Sequence, residues 1–171
     1  MIETTIVLFM LCIIFFLVFD YARLLNCRTV LEYAATRCAR ARAVGFNDFM
    51  VLKTARLGAM SVSGKCLTQF DDDDPDAQPT TSMLVNRMGS YLQTASYAET
   101  FGILDFELWQ PSKLGWSCVE SSDGIAMHVW QKQPVFRILN PQGADDGDDD
   151  IVEVTLHGNA KIESHYPFYL K

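Results

Sequence analysis

The chain opens with an uninterrupted apolar run. Residues 6–19 are all apolar, and no charged side chain interrupts them before Asp20. Counted from Ile2, the segment is 18 residues long, close to the roughly 20 residues with which a helix crosses the hydrocarbon core of a bilayer. A buried core helix is the alternative, but the run is apolar on every side and the rest of the chain is too small to enclose it. The pattern therefore predicts a membrane-spanning helix.

A cleaved secretory signal peptide fits this run poorly. Such a signal needs basic residues before the apolar run and a small-residue cleavage site after it. No Lys or Arg precedes Arg23, and the run ends in Phe19-Asp20-Tyr21. The arginines that follow the run would place the remainder of the chain on the cytoplasmic side. That conflict disappears if a basic leader preceded Met1 and was removed.

The helical pattern continues past the apolar run and becomes amphipathic. Apolar residues recur at steps of three and four, typical of a heptad-like stripe: Leu24, Cys27, Leu31, Ala34, Cys38 and Ala41. We expect part of this stripe to pack on the chain's own globular domain. Ala22, Ala35 and Ala39 on the other face leave room for a second helix to approach closely. Charges of alternating sign, among them Asp20 and Arg23, can pair within the helix or between subunits.

Beyond a break at Gly45 the pattern predicts a small α+β domain. Asn47 or Asp48 caps a second helix that runs to about Ala59, and a third helix runs from Thr80 or Thr81 to about Ala98. The fold class is therefore α+β, with a long N-terminal α-helix of one hydrophobic and one amphipathic half, a short helix, and an antiparallel sheet of three to four strands. We divide the chain into residues 1–45 and a globular domain of residues 46–171.

The strands are predicted from alternation and turn signals. Residues 104–108 alternate, residues 116–119 and 125–130 flank the hairpin signal Ser122-Asp123-Gly124, and residues 135–139 form another short candidate. The clearest strand is the last. Its even-numbered residues from Val152 to Ile162 face one way, and its odd-numbered residues from Glu153 to Glu163 face the other.

Three segments of the first 45 residues resemble TadE-like pseudopilins of the type IV pilin superfamily. They are Glu3 to Leu8 (ETTIVL), Phe19 to Leu24 (FDYARL) and Leu31 to Ala41 (LEYAATRCARA). The resemblance implies leader removal by a prepilin peptidase and storage of the subunit in the bacterial inner membrane. It also implies that the pilus assembly machinery then builds a homo-oligomeric helical filament, of the Tad type, on the cell surface. The alternative is a single-pass membrane protein whose domain binds a ligand or partner and never polymerises.

The expected assembly residues are Met1, Glu3 and apolar positions along the helix that would form the filament core. An acidic side chain at mid-bilayer costs about 2.5–3.5 kcal/mol on insertion scales, so a free amino terminus, its own or that of an adjacent subunit, is the expected partner of Glu3. The alternative is that Glu3 simply faces water at the interface. Pilins typically carry this glutamate at the fifth mature position, where this chain has Thr5. The helix positions are Ile6, Leu8, Phe9, Ile13, Phe16 and Phe19.

Two of the five cysteines are candidates for a disulfide. Cys66 and Cys118 lie in the domain expected to be exported, and an oxidising compartment favours their pairing. Cys12 is expected to act as a small apolar residue, and Cys27 and Cys38 are too far apart along one helix to bridge. The chain has no Cys-x-x-Cys motif, so a zinc ribbon is unsupported.

Two acidic tracts are candidates for calcium binding, because calcium prefers clustered carboxylates in irregular loops. Neither tract has the spacing of an EF-hand, and a solvated surface loop is the competing interpretation. The net charge of −7 argues against nucleic-acid binding. The candidate ligands are Asp71, Asp72, Asp73, Asp74, Asp145, Asp146 and Asp148.

The sequence carries no motif of a catalytic site. It has no Gly-x-Ser-x-Gly, no phosphate-binding loop and no His-Glu-x-x-His. Two of its three histidines, His128 and His157, fall on predicted strands, where a surface or packed histidine is usual. We therefore expect a structural protein without enzymatic activity and without a cofactor other than the calcium considered above.

Overall fold

One helix of 42 residues, α1 (Ile2–Ala43), runs through both the apolar and the amphipathic segments. The structure is a computed structural model, and it describes residues 2–69, 79–121, 124–136 and 151–163. With neither glycine nor proline in its length, α1 is continuous and about 63 Å long at 1.5 Å per residue. Gly45 ends it at φ 93°, and the backbone bonds Gly45 N to Arg42 O (2.9 Å) and Phe46 N to Ala41 O (3.1 Å) form a Schellman motif.

The predicted second helix is confirmed as α2 (Asp48–Ala59), which starts where Asn47 accepts a hydrogen bond from Met50 N at 2.9 Å. The third helix is shorter than predicted. It ends at Gln93 as α3 (Thr81–Gln93), and a separate helix α4 (Tyr97–Ile103) follows. Thr94 between them has extended backbone at φ −65° and ψ 129°, so the chain turns before α4 begins.

Three antiparallel strands form one sheet in the order β1 (Leu114–Ser121), β2 (Gly124–Phe136) and β3 (Ile151–Glu163). The predicted hairpin between β1 and β2 is confirmed, with Ser121 paired to Gly124. The predicted short strand at residues 135–139 is wrong in its start, because Val135 belongs to the end of β2; residues 137–139 lie outside the described residues. The predicted last strand is confirmed, and on it Leu156, Gly158 and Ala160 face the core.

Residues 104–108 do not form the strand predicted for them. Phe106 makes an isolated bridge to Cys66, and Glu107–Trp109 is a turn of 3₁₀ helix. The alternation nevertheless predicted burial correctly, since Leu104, Phe106 and Leu108 are all buried. These side chains pack into the core, but the only strand-type pairing of this segment with the rest of the described chain is the bridge between Phe106 and Cys66.

The second half of α1 lies in the core of the globular part. It packs against α2, β2 and β3, and five stripe residues are buried: Cys27, Leu31, Ala34, Cys38 and Ala41. The stripe therefore packs on the chain's own domain, as expected from the sequence. Ala35 and Ala39, which were expected to leave room for a second helix, are buried in the same core. Because α1 is one continuous helix, the apolar half is a rigid extension of this core.

Candidate assembly surface

The first half of α1 is almost fully exposed. Large apolar side chains cover all sides of the helix between Ile2 and Phe19, and those of Ile6, Leu8, Phe9, Phe16 and Phe19 are each 58–67% exposed. Among the core-helix positions expected from the sequence only Ile13 is half-buried. An apolar surface of this extent far exceeds the patches that monomeric soluble proteins leave in water. It requires lipid or other protein around it.

α1 is long and apolar enough to cross a membrane, and none of its most apolar 18-residue window is buried within the chain. The 18 residues from Ile2 to Phe19 rise about 27 Å as a helix. That length matches a hydrocarbon core of about 30 Å. A membrane anchor is thus the role that this half of the helix fits by its length and composition.

Glu3 lies in the first turn of α1 and is exposed. The unpaired backbone N–H groups at a helix N-terminus favour a carboxylate there. Thr4, Val7, Leu8 and Leu11 line a shallow groove beside Glu3. Met1, the other assembly residue expected from the sequence, lies outside the described residues, so its pairing with Glu3 stays a prediction.

The charged residues at the end of the apolar run pair within the helix. Asp20 is 3% exposed, and its carboxylate lies 3.4 Å from Arg23 Nε. Arg23 also donates a hydrogen bond to the backbone carbonyl of Pro134 near the end of β2. This junction joins the base of the exposed half of α1 to the sheet. The sequence left open whether these charges pair within the helix or between subunits, and it did not indicate the contact with Pro134.

At its other end, α1 is joined to the domain through Arg42. The guanidinium binds Glu120 on β1 at 2.6 Å and Asp48 at the start of α2 at 2.8 Å. The hydrogen bond to Glu120 raises the pKa of Arg42 above its usual value. Arg42 thus adds a solvent-exposed polar contact between α1 and β1, at the end of the helix opposite Arg23.

Sequence reasoning missed two buried cations on α2. Lys53 is 1% and Arg56 is 2% exposed. Lys53 donates to the carbonyls of Leu92 and Thr94 at the end of α3, where the helix dipole favours a cation. Burial lowers the pKa of Lys53. Arg56 donates to Trp109 O at 3.1 Å. Charged residues on a short helix are usually expected to face water. The burial of Lys53 and Arg56 becomes visible only when α3 and α4 are placed against α2.

The disulfide expected between Cys66 and Cys118 is not formed, and both residues are free thiols. The Cys66 thiol donates to Asp105 O at 3.4 Å. Cys118 lies on β1 opposite Met127, near the Arg42–Glu120 pair. Cys66 thus contacts Asp105, whereas Cys118 lies on β1 near Arg42 and Glu120. Burial raises the pKa of the Cys118 thiol.

The expected calcium ligands, Asp71 to Asp74 and Asp145, Asp146 and Asp148, all lie outside the described residues. Within the part of the chain that the structure describes, no group of three or more His, Cys, Asp or Glu side chains is placed to hold a metal ion. Calcium binding by the acidic tracts stays a prediction from the sequence.

Residues 1–40 match the family model of the TadE-like protein. The match spans nearly all of α1 and confirms the resemblance seen in the sequence. Comparisons with curated proteins and with solved structures found no significant match.

Proposed function

We propose that this chain is a structural, non-catalytic pilin-like subunit that is anchored in the bacterial inner membrane by α1 and then polymerises through the same helix into an extracellular Tad-type filament. The observation that carries the proposal is the division of α1 into an exposed apolar half and a half built into the domain core. The TadE-like match over residues 1–40 supports it independently.

The exposed half of α1 offers the driving force for membrane anchoring and for filament assembly. Fully burying one large apolar side chain stabilises by about 1.5–3 kcal/mol, and a dozen such side chains project from α1 between Ile2 and Phe19. Lipid satisfies them before assembly. Close packing of neighbouring copies of the helix would satisfy them in a filament, because protein interiors are denser than lipid and gain dispersion energy.

The buried half makes the subunit suitable for a regular lattice. α1 packs against β2 and β3, and Arg23 and Arg42 add polar contacts with the sheet. When the assembly helix and the globular domain move as one body, every subunit has the same geometry. Helical polymerisation requires such identical subunits. In this proposal the globular domain forms the filament surface, and the prepilin peptidase and assembly machinery are the partners during export.

Glu3 would set the axial position of each subunit. Within an apolar filament core an unpaired carboxylate is costly, and removing one partner of a buried ion pair costs roughly 3–5 kcal/mol. Pairing with a free amino terminus of a neighbour offsets that cost in only one register. Glu3 would thereby favour one helical arrangement over the alternatives.

The proposal is tested in cells that produce the chain with its assembly machinery. Surface filaments are sheared off, and the chain is quantified in the filament and membrane fractions. We expect wild type in both fractions, and Glu3→Gln in the membrane fraction alone. Glu99→Gln removes one exposed carboxylate from α4 and should behave as wild type. A wild-type chain confined to membranes while filaments form without it would contradict the proposal and favour a membrane anchor that does not polymerise.

A further inference from the structure

Two histidines meet on the outer face of the sheet. The β2–β3 register pairs His128 with Asn159 and Trp130 with His157, which places both imidazoles on the side away from α1. His128 Nε2 lies 3.1 Å from His157 Nδ1, and the ring planes differ by 23°. His157 is exposed and His128 is partly exposed. Nothing in the assembly role of α1 uses this pair.

We propose that His128 and His157 form a chelate site for a late divalent transition metal, with Cu²⁺ bound most tightly. Two nitrogens that bond one ion at about 2.0–2.1 Å, at about 90–110° to each other, lie about 2.8–3.4 Å apart. The observed separation of 3.1 Å falls within that range. Neutral imidazole is a preferred ligand of these ions, and affinity rises along the series to Cu²⁺.

Asn159 prepares His128 for this role. The ring Nδ1 of His128 is hydrogen-bonded to Asn159 Oδ1. An amide oxygen can only accept, so Nδ1 carries the proton and Nε2 presents its lone pair towards His157. Metal-binding histidines usually donate their second N–H in this way, which fixes the tautomer and the ring orientation.

His157 makes the adjustment that metal entry needs. Because His128 Nε2 carries no proton in this tautomer, the 3.1 Å contact in the metal-free pair requires His157 Nδ1–H as its donor. On binding, that proton leaves Nδ1 and another is taken up at Nε2 from solvent, so that Nδ1 bonds the ion with no net proton change. The exposed ring is able to turn until both lone pairs converge. Water fills the other coordination positions, since two protein ligands are in place.

The test is a Cu²⁺ titration of the full chain in detergent micelles, followed by electron paramagnetic resonance. We expect the first equivalent to show nitrogen hyperfine coupling from two imidazoles. His128→Gln and His157→Gln should each weaken this binding by about tenfold or more, and Asn159→Ala by about tenfold. His165→Gln is the matched control and should leave the affinity unchanged. Circular dichroism confirms that each variant keeps its fold.

The acidic tracts offer oxygen ligands, so the spectrum distinguishes the two sources of binding. If the His128→Gln/His157→Gln double variant binds Cu²⁺ with the wild-type affinity and the same spectrum, the proposal is overturned. An oxygen-only spectrum for the first equivalent bound by the wild-type chain also overturns it. Neither result would bear on filament assembly, which depends on α1.

Discussion

Gly158 on β3 lies directly against the backbone of Leu31 on α1. A methyl group built at Gly158 would lie 2.3 Å from the carbonyl carbon of Leu31 and 2.6 Å from Glu32 N. Both distances are shorter than any real contact of a Cβ atom. The absence of a side chain at this one strand position is what allows the sheet to approach the helix so closely, and Leu31 is fully buried as a result.

Gly158→Ala should therefore destabilise the domain. Because both contacting segments are backbone, neither can move aside without shifting the helix or the strand, and overpacking of this kind costs about 1–3 kcal/mol. The measurement is urea unfolding of the full chain in detergent, followed by tryptophan fluorescence. Gly89→Ala is the matched control: nothing lies within 4 Å of the added methyl group, and replacing a mid-helix glycine should stabilise by about 0.5–1 kcal/mol. Equal destabilisation by both substitutions would contradict the packing of β3 on α1.

Arg23→Met should weaken the junction between the exposed helix and the sheet. It removes the cation beside the buried Asp20 carboxylate and the hydrogen bond to the Pro134 carbonyl. We expect a loss of about 1–3 kcal/mol in unfolding free energy, with faster amide exchange at the base of the apolar half.

Arg28→Met provides the comparison for the junction. Arg28 pairs with Glu32 at 3.1 Å, and both side chains are exposed, so its loss should change stability by less than about 1 kcal/mol. If Arg23→Met costs no more unfolding free energy than Arg28→Met, Arg23 does not strengthen the junction between the helix and the sheet.

Stability should fall as the solution becomes alkaline, because of Cys38. Burial raises the pKa of its thiol from the ordinary 9.0 to about 12. Between these values the folded chain keeps a proton that the unfolded chain has released, so unfolding becomes easier as pH rises. One such group contributes at most about 1.4 kcal/mol per pH unit. Unfolding free energies of wild type and Cys38→Ala, measured under reducing conditions from pH 8 upwards, should show a shallower decline in the variant. Identical slopes would show that Cys38 ionises as readily in the folded state.

Elements set by local pattern were predicted from the sequence. The stripe of Leu24 to Ala41 and the alternation of β3 each repeat with the period of one conformation. The apolar run was predicted to be a membrane-spanning helix from its length and apolar composition. Residue type predicted a cap at Asn47 or Asp48, and the structure shows it at Asn47. The end of α3 at Gln93 was not predicted from the sequence, because no glycine or proline follows it directly. Its terminal carbonyls accept from Lys53, which lies 39 residues earlier in the chain.

The buried polar side chains could not be predicted from the sequence either, because their hydrogen-bond partners lie in distant segments of the chain. Gln131 and Gln133 lie on the core face of β2, where alternation alone predicts apolar residues. Both are buried: Gln131 bonds Ser63 Oγ at 3.2 Å, and Gln133 bonds Val62 O at 2.7 Å. Buried amides are tolerated only where such partners exist, and those partners come from distant segments. The contact of His128 with His157 likewise depends on the register of β2 with β3.

In the proposed filament, copies of this chain associate through the exposed half of α1. The most direct test replaces Phe16, which is 62% exposed, with the photoreactive analogue benzoylphenylalanine, which keeps the aromatic ring. Sheared filaments are irradiated, and the cross-linked peptides are mapped by mass spectrometry. We expect adducts that join position 16 to residues 2–19 of another copy of this chain. Filaments that contain the chain but give only lipid adducts, or adducts confined to globular domains, would contradict it.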